Sequence, residues 1–341
     1  MENFKTIIFP SVFERHNSEL DKVADNLLDG LKIFLNGEAY IIGNLAFSEG
    51  LNPHRTINSS PDDLDYNLFL YAALLLIDNQ ENRPVYLTTG FPFSTYRINK
   101  ELAEKIIKGK HIIDYDASTF SDKMKLSKEV NVAKVDILPE LQGSILGLRK
   151  GKKKVSGNFF IVSIGYGTFE AALSTPSGIV QRTAVSTKGI VYAIDMLIKE
   201  LEKSYYLGLK TKQQIDNFFQ RDYIILNRKR IDIRKMKSEV LNSYYENVIS
   251  PELRTAFTDI DFAKANKMYI TGGGALYPDL IDNFYTEFGE IVDIEVVENP
   301  LTLASEGFFL NSLEKKDVLE IPVGLDIGNS NTVLTVSDVK I

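Results

Sequence analysis

Short apolar runs alternate with amphipathic helical patterns along most of the 341-residue chain. Extended runs rich in β-branched and aromatic residues are separated by segments in which apolar residues recur every three or four positions. This alternation favours an α/β fold, in which helices pack against the faces of sheets. It predicts strands at 6–9, 39–42, 85–88, 132–137, 159–164, 268–271 and 291–297, and helices at 64–77, 100–107, 190–207, 236–248, 251–256 and 277–288.

A chain of this length is expected to form two domains, each with its own core. The lysine-rich segment 148–157 lies between two apolar strands and is typical of an exposed crossing between domains. A second crossing is expected near 298–304. We therefore predict a first domain from residues 1–152 and 298–341, and a second domain from residues 153–297.

Composition removes several classes of function. The absence of cysteine excludes disulfides, thiol catalysis and zinc–thiolate sites, and it suits a reducing compartment. The net charge is −7, and the basic runs at 149–154 and 228–230 are predicted to be solvated loops and not a nucleic-acid surface. Neither a signal-peptide pattern nor an apolar run long enough to span a bilayer is visible. A cytoplasmic location is expected.

The segment 321–341 predicts a strand, a polar turn and a second strand. A glycine turn lets backbone N–H groups approach a phosphate, small polar side chains add donors, and an acidic residue can hold Mg²⁺ through water. Asp326 is the candidate magnesium ligand, and the candidate phosphate ligands are Gly328, Asn329, Ser330, Asn331 and Thr332. Alone, the pattern is equally compatible with an ordinary Asn/Gly hairpin.

Residues 159–173 have the same pattern, in which an apolar strand is followed by a glycine turn and a second extended run. The candidate ligands in this turn are Gly165, Tyr166, Gly167 and Thr168. Two such turns could clamp a polyphosphate from opposite sides.

Two further segments carry candidate site residues. Gly272, Gly273, Gly274 and Ala275 stand between a predicted strand and a helix, where the backbone could approach a flat ring or a sugar. The competing interpretation is a tight turn that packing requires. Glu140 follows another strand and could orient an attacking water, although a single Glu in a loop is commonly solvated.

The four segments together resemble the nucleotide-binding motifs of the actin-like ATPase superfamily, and they are nearest in organisation to ParM and the archaeal actins. The correspondence covers nearly the whole chain. It implies an actin-like (ribonuclease H-like) two-domain fold with a nucleotide cleft. Residues 138–143 resemble connect one, 161–168 phosphate two, 269–275 the adenosine motif, 299–308 connect two, and 323–336 phosphate one in a form similar to that of MreB.

The order of these motifs departs from the family, because phosphate one follows connect two instead of opening the chain. A circular permutation accounts for the order. It predicts that Ile341 and Met1 lie close together. The alternative is a strand exchange, in which residues 321–341 complete the sheet of a neighbouring protomer.

The resemblance implies ATP or ADP with Mg²⁺ as cofactors, with Asp326 on the metal side and Glu140 as the catalytic carboxylate that orients water toward the γ-phosphate. Gly189 resembles the small residue that lets a helix approach the nucleotide. Ser163 replaces the family's phosphate-two acidic residue, so weaker metal binding and slow hydrolysis are expected, unless Glu170 compensates. The expected adenine-side region is 206–219, with the candidates Lys212 and Gln213.

The resulting functional hypothesis is a filament that polymerises with ATP and Mg²⁺, of a cytoskeletal or plasmid-segregation type. Its partners would be further copies of the chain and a free or DNA-bound adaptor protein. One alternative is a nucleotide-binding scaffold without hydrolysis, similar to FtsA. Another is a small-molecule kinase of the same superfamily, for which Asp136 is the nearest candidate base.

Overall fold

The structure is a computed structural model that describes residues 3–79, 81–207, 212–226 and 228–338. The chain forms two compact units. Unit 1 comprises Met1–Lys153 and Ala304–Ile341, and unit 2 comprises Lys154–Leu303. Among the described residues, no helix combines the length and the apolar character needed to cross a lipid bilayer.

Strands and helices alternate along both units, as the sequence pattern predicts. The strands are β1 (Phe4–Pro10), β2 (Phe13–Arg15), β3 (Lys32–Leu35), β4 (Glu38–Ile42), β5 (Val85–Phe91), β6 (Gly109–Asp116), β7 (Lys125–Pro139), β8 (Phe159–Ile164), β9 (Thr168–Thr175), β10 (Gly178–Ile179), β11 (Val185–Lys188), β12 (Tyr223–Leu226), β13 (Lys229–Asp232), β14 (Lys267–Thr271), β15 (Asp293–Val296), β16 (Ile321–Ile327) and β17 (Asn331–Ser337). The helices are α1 (Asn44–Glu49), α2 (Leu64–Leu76), α3 (Phe93–Ile107), α4 (Glu140–Lys150), α5 (Val191–Glu202), α6 (Lys212–Gln220), α7 (Arg234–Tyr244), α8 (Ser250–Ala256), α9 (Asp259–Phe262), α10 (Pro278–Phe288) and α11 (Leu303–Lys315).

The C-terminal hairpin lies inside the sheet of unit 1. The order of this sheet is β1-β17-β16-β5-β7-β6-β3-β4-β2, in which β17 is antiparallel to β1 and β16 is parallel to β5. The pairing of β1 with β17 begins at Phe4 and Ser337, and the amide of Asp338 donates to the carbonyl of Asn3 at 2.8 Å. Residues 3 and 338 are therefore neighbours, while Met1 and Ile341 lie outside the described residues.

The hairpin is held between two helices. Helix α2 is apolar on nearly all its faces and buries Phe69 and Leu74 in the same core as Leu325 and Leu334. Side chains alternate across a strand, so Gly324 points to the opposite face, where a Cβ atom would overlap the backbone of α11. The sheet and its two helix layers thus fix where β16 ends.

Unit 2 is built on a smaller sheet with the order β10-β9-β8-β14-β15, to which β11 adds by pairing with β9. Strand β14 is parallel to both β8 and β15. Buried aromatic rings pack beside it, including Phe160 against Phe257 at 4.6 Å between ring centroids. A separate two-stranded hairpin, β12 with β13, follows α6.

Some predicted elements need correction. The basic run 228–230 was predicted to be a loop, but Lys229 and Arg230 belong to β13, because extended pairing with β12 continues past the turn. The helix predicted at 190–207 ends at Glu202. The helix predicted at 236–248 begins at Arg234, and its last turn, Tyr245–Ile249, is a π-helix.

Candidate functional site

Three parallel strands of unit 1 end at one edge of the sheet. These are β16, β5 and β7, which pair side by side in the same direction. Asp326 lies next to the end of β16, and Glu140 opens α4 directly after β7. The carboxyl ends of parallel strands are where α/β folds bind ligands, because loops and helix starts converge there. The structure therefore places Asp326 and Glu140 at the same edge.

In the turn that follows, residues 328–331, two carbonyl oxygens accept hydrogen bonds from residues outside the turn. The amide of Ser11 donates to the carbonyl of Ser330 at 2.8 Å, and the Arg55 guanidinium donates to the carbonyl of Gly328. In the described part of the chain, the amides of Gly328 and Asn329 have no hydrogen-bond acceptor. Two consecutive N–H groups without acceptors form a concave donor surface that suits an anion. We call residues 328–332 the phosphate-one turn.

The side chains of this turn hold it in place. Asn329 and Asn58 exchange two hydrogen bonds, one from the Asn58 amide to Asn329 Oδ1 at 2.7 Å and one from Asn329 Nδ2 to Asn58 Oδ1 at 2.8 Å. The hydroxyl of Thr332 is buried and lies 2.8 Å from that of Ser11. The side chains of Asn329 and Thr332 therefore anchor the turn, and the backbone supplies the free donors.

Arg55 is the main residue at this edge that the sequence did not single out. Its side chain is 7% exposed, and its guanidinium lies 5.0 Å from the centroid of the Phe69 ring. Burial lowers the pKa of Arg55 to about 10, and Asp65, Asp326 and Glu140 oppose that shift. The positive charge of Arg55 thus interacts favourably with all three of these carboxylates.

Asp326 is the acidic residue at this edge whose pKa is strongly raised. Burial raises the pKa of its carboxyl from 3.8 to about 6, and the nearby positive charge of Arg55 limits the rise. A half-buried carboxylate with a raised pKa gains when a cation binds beside it. Within the described residues there is no cluster of three or more acidic or histidine side chains for a metal. Mg²⁺ held mainly by phosphates needs only one or two carboxylates, so Asp326 fits that role.

In unit 2, the turn 165–168 has the same organisation, and we call it the phosphate-two turn. The start of α5 ties back its carbonyls: the amides of Gly189, Ile190 and Val191 donate to Gly167, Gly165 and Tyr166 at 3.1, 3.1 and 2.9 Å. The amides of Tyr166 and Gly167 have no acceptor in the described part of the chain. This second turn therefore also offers two consecutive N–H groups to an anion.

Gly189 makes this arrangement sterically possible. A Cβ atom at position 189 would lie 2.5 Å from the carbonyl oxygen of Gly165 and 2.6 Å from both Thr168 N and the carbonyl oxygen of Tyr166. Any side chain would push α5 away from the turn. The small residue that the resemblance implied at 189 is thus in direct contact with the phosphate-two turn.

Tyr166 and Ser163, the two residues that distinguish this segment, are both buried. Tyr166 is 8% exposed, and its buried hydroxyl has no hydrogen-bond partner in the described part of the chain. Burial raises the pKa of Tyr166, with Asp216 adding to the effect. Ser163 pairs across the strands with Glu170, which is 1% exposed. Directly opposed residues of an antiparallel pair share one face of the sheet, so Glu170 and Ser163 are on the same face.

The triple-glycine turn lies beside the phosphate-two strand. Gly272 has φ +84°, and a Cβ atom there would meet the backbone of Ile164 at 2.6 Å. At Gly274 a Cβ atom would overlap the Ile164 side chain, whereas at Gly273 its nearest neighbour would be Leu301 at 3.5 Å. Packing therefore explains Gly272 and Gly274. Gly273 remains available for a close approach, with the 7%-exposed Ala275 behind it.

Two other candidates are engaged in ion pairs. Lys212 lies 2.7 Å from Asp195, and the side chain of Gln213 lies outside the described residues. Asp136 accepts hydrogen bonds from Lys315 at 2.6 Å and Asn311 at 2.7 Å. Burial would raise the pKa of Asp136, but these bonds outweigh it and lower the pKa, so the geometry gives no support to Asp136 as a base.

Comparison with known proteins agrees with this geometry. Residues 1–143 match the sequence profile of the N-terminal domain of actin-like proteins. A non-polymerisable quadruple mutant of pCBH ParM superposes with a TM-score of 0.72 at 17% identity, over 90% of this chain and 93% of that one. The chain has the actin-like fold. The resemblance to the actin-like superfamily that the four motifs predicted is confirmed.

Two further structures extend this result. A 15-stranded ParM filament from Clostridium botulinum gives a TM-score of 0.70 at 17% identity, over 90% of this chain and 93% of that one. The archaeal actin homologue Ta0583 in complex with ADP gives 0.67 at 15% identity, over 91% and 93%. Comparison of the sequence with curated proteins finds no match.

Proposed function

We propose that this actin-like protein binds ATP and ADP with Mg²⁺ and polymerises into filaments. The proposal rests on an arrangement that the two glycine turns share. Carbonyl oxygens of each turn accept hydrogen bonds from outside the turn, and two consecutive backbone N–H groups have no acceptor within the described residues. Such donor pairs suit the oxygens of an anion such as phosphate. The fold matches a homologue that binds ADP, which supports the nucleotide as the source of those phosphates.

Each residue has a distinct proposed role. In unit 1, the phosphate-one turn would offer its Gly328 and Asn329 amides to phosphate oxygens. In unit 2, the phosphate-two turn would offer those of Tyr166 and Gly167. Asp326 would hold Mg²⁺ through water. Mg²⁺, when bound, supplies positive charge to the phosphates. Gly189 and Gly273 let the backbone approach the nucleotide.

Hydrolysis is proposed to be slow. Glu140 at the start of α4 would orient the attacking water, while the turn amides stabilise the charge that develops on the phosphate. Ser163 provides no carboxylate at the phosphate-two position, and Glu170, on the same face, is buried. Fewer acidic groups should mean weaker metal retention and slower turnover. These observations also favour the scaffold that binds nucleotide without hydrolysis as the second candidate.

The partner in assembly would be a further copy of the chain, as in the ParM filament with the same fold. A head-to-tail contact that does not close into a ring generates a filament. An adaptor protein that links the filament to a cargo such as plasmid DNA, and a cytoplasmic location, belong to the same proposal.

We also infer that the chain is circularly permuted. The hairpin β16–β17 pairs with β1 and β5 of its own chain, and Asn3 and Asp338 are hydrogen-bonded neighbours. Adjacent ends are what a tolerated permutation requires. Strand exchange between protomers would use the same pairings with a second chain, and the oligomeric state of dilute nucleotide-free protein separates the two: a monomer supports permutation.

The test of nucleotide binding is isothermal titration with Mg·ADP on the wild type, Asp326→Ala and Gly189→Ala. Asp62→Ala, at an exposed acidic residue, is the matched control. We expect Asp326→Ala to weaken binding at least about tenfold, as the loss of a charged contact does. We expect Gly189→Ala to weaken it by a similar factor because the added methyl group displaces the phosphate-two turn, and the control to bind like the wild type. No binding by the wild type would refute the proposal.

A further inference from the structure

A second concave site lies on the β12–β13 hairpin of unit 2. This pocket, of about 420 Å³, is lined by Arg221, Asp222, Tyr223, Arg230, Asp232 and Arg234. Residues 221–237 contain seven basic and two acidic side chains, although the whole chain carries a net charge of −7. The pocket lining itself contains three arginines and two aspartates, and it lies in a basic segment of an otherwise acidic protein. We call it the arginine pocket.

The two acidic groups of the arginine pocket are already neutralised. Asp232 accepts hydrogen bonds from Nε and the backbone amide of Arg234 at distances from 2.9 to 3.1 Å. Asp222 pairs with Lys237. Arg221 and Arg230 have no carboxylate within 4.0 Å in the described part of the chain. These two guanidinium groups thus form no direct ion pair within the described residues, although Arg230 is close enough to Asp232 to help lower the pKa of that carboxyl.

The guanidinium groups are also held in position. Arg230 stacks on Tyr223, with its central carbon 3.8 Å from the ring centroid, and the bonds to Asp232 fix the plane of Arg234. A guanidinium that is already ordered loses less entropy when it binds a ligand. The fork of N–H donors on arginine matches the oxygens of a phosphate.

We propose that the arginine pocket binds the phosphate group of a small phosphorylated molecule. The volume of the pocket is within the range of small-ligand sites and exceeds that of a single phosphate group. An extended nucleic acid would also meet the acidic remainder of the chain, which repels it. The pocket uses none of the residues of the phosphate-one or phosphate-two turn, so the proposal stands independently of nucleotide binding by those turns.

The test is calorimetric titration of inorganic pyrophosphate into the full chain at low ionic strength. The variants are Arg221→Ala and Arg230→Met, the second of which keeps an apolar stem on Tyr223. Arg228→Ala is the matched control, because it removes the same charge from the turn of the hairpin but does not line the pocket. Asp326→Ala separates pyrophosphate bound here from pyrophosphate bound at the phosphate-one turn. Circular dichroism checks that each variant is folded.

We expect pyrophosphate binding that persists in Asp326→Ala, weakens about tenfold or more in Arg221→Ala and Arg230→Met, and changes less than about twofold in Arg228→Ala. Equal weakening by Arg228→Ala would show a diffuse field and overturn the proposal. So would tighter binding of a single-stranded oligonucleotide that Arg228→Ala also weakens, which would indicate a nucleic-acid surface. An effect of Arg230→Met on self-assembly alone, without pyrophosphate binding, would reassign the pocket to a contact between copies.

Discussion

Asp326 should make the nucleotide-free protein less stable as the pH rises. Burial raises the pKa of its carboxyl from 3.8 to about 6, so the folded state binds a proton more tightly than the unfolded state between those values. Stability therefore falls as the pH increases from about 4 to about 6 and is constant above that, as far as this group is concerned. At 1.36 kcal/mol per pKa unit, the cost at neutral pH is about 3 kcal/mol.

Asparagine has the shape of the protonated carboxyl and no charge. Asp326→Asn should thus raise the free energy of unfolding by about 2–3 kcal/mol at neutral pH and by almost nothing near pH ~3, where most of the wild-type carboxyl is protonated in both states. The assay is urea denaturation of both proteins over this pH range without nucleotide. Asp62→Asn, at an exposed acidic residue, is the control.

The pH dependence is the critical feature of this prediction. A gain in stability of the same size at low and neutral pH would show that packing, and not ionisation, is responsible. A loss of stability at neutral pH would show that the ionised Asp326 stabilises the folded state, through its interaction with Arg55, by more than its burial costs. With Mg·ADP present, the wild type should have the larger free energy of unfolding, because the ligand stabilises it more than it stabilises Asp326→Asn.

Three further predictions follow from the packing around the turns. Gly189→Ala should lower the free energy of unfolding by about 1–3 kcal/mol, whereas Gly273→Ala, where a methyl group has room, should change it by less than about 0.5 kcal/mol; equal effects in urea denaturation would contradict this. Arg55→Met should cost about 3–5 kcal/mol by leaving buried carboxylates without their cation, and Asp326→Asn should restore part of that loss in the double variant; full additivity would refute the coupling. Joining Ile341 to Met1 and reopening the chain before Ile321 should give a folded monomer by circular dichroism and sedimentation; failure with every linker length would favour strand exchange.

The fold was largely predictable because its signals are local. Strand runs such as 159–164 and helical runs such as 64–77 carry their own periodicity, and glycine turns are visible as short motifs. The phosphate-one turn and the phosphate-two turn could therefore be located from their residue patterns alone. The actin-like architecture followed from their combination with connect one and the adenosine motif, and the matching folds confirm it.

The supports of the site could not be predicted in this way. Arg55 and Asn58 reach the phosphate-one turn across 273 and 271 positions in sequence, and a single Arg in a polar segment looks like a solvated residue. The pairing of β1 with β17 and the bridge between Phe13 and His54 bring the two segments together. The prediction of a loop at 228–230 was wrong for a related reason. Its basic side chains are typical of a solvated loop, and the pairing of β13 with β12 is not visible in the sequence.

The side chains of the turns were interpreted too simply. Sequence motifs suggested that Asn329 and Thr332 donate to phosphate, but the structure uses both to hold the turn against Asn58 and Ser11. Packing likewise accounts for two of the three adjacent glycines, through their contact with Ile164. The motifs located the two turns, whereas the contacts of their side chains could be read only from the tertiary structure.

The most direct test of nucleotide-driven assembly is 90° light scattering on the purified protein after addition of Mg·ATP, with phosphate release recorded in parallel. Mg·ADP and the Asp326→Ala variant are the controls. We predict a rise with Mg·ATP that the variant lacks, followed by slow phosphate release and a gradual decline in scattering. A persistent rise without phosphate would indicate a polymer that has lost hydrolysis. No rise in the wild type, at any protein concentration that stays soluble, would contradict the proposal that this protein forms filaments.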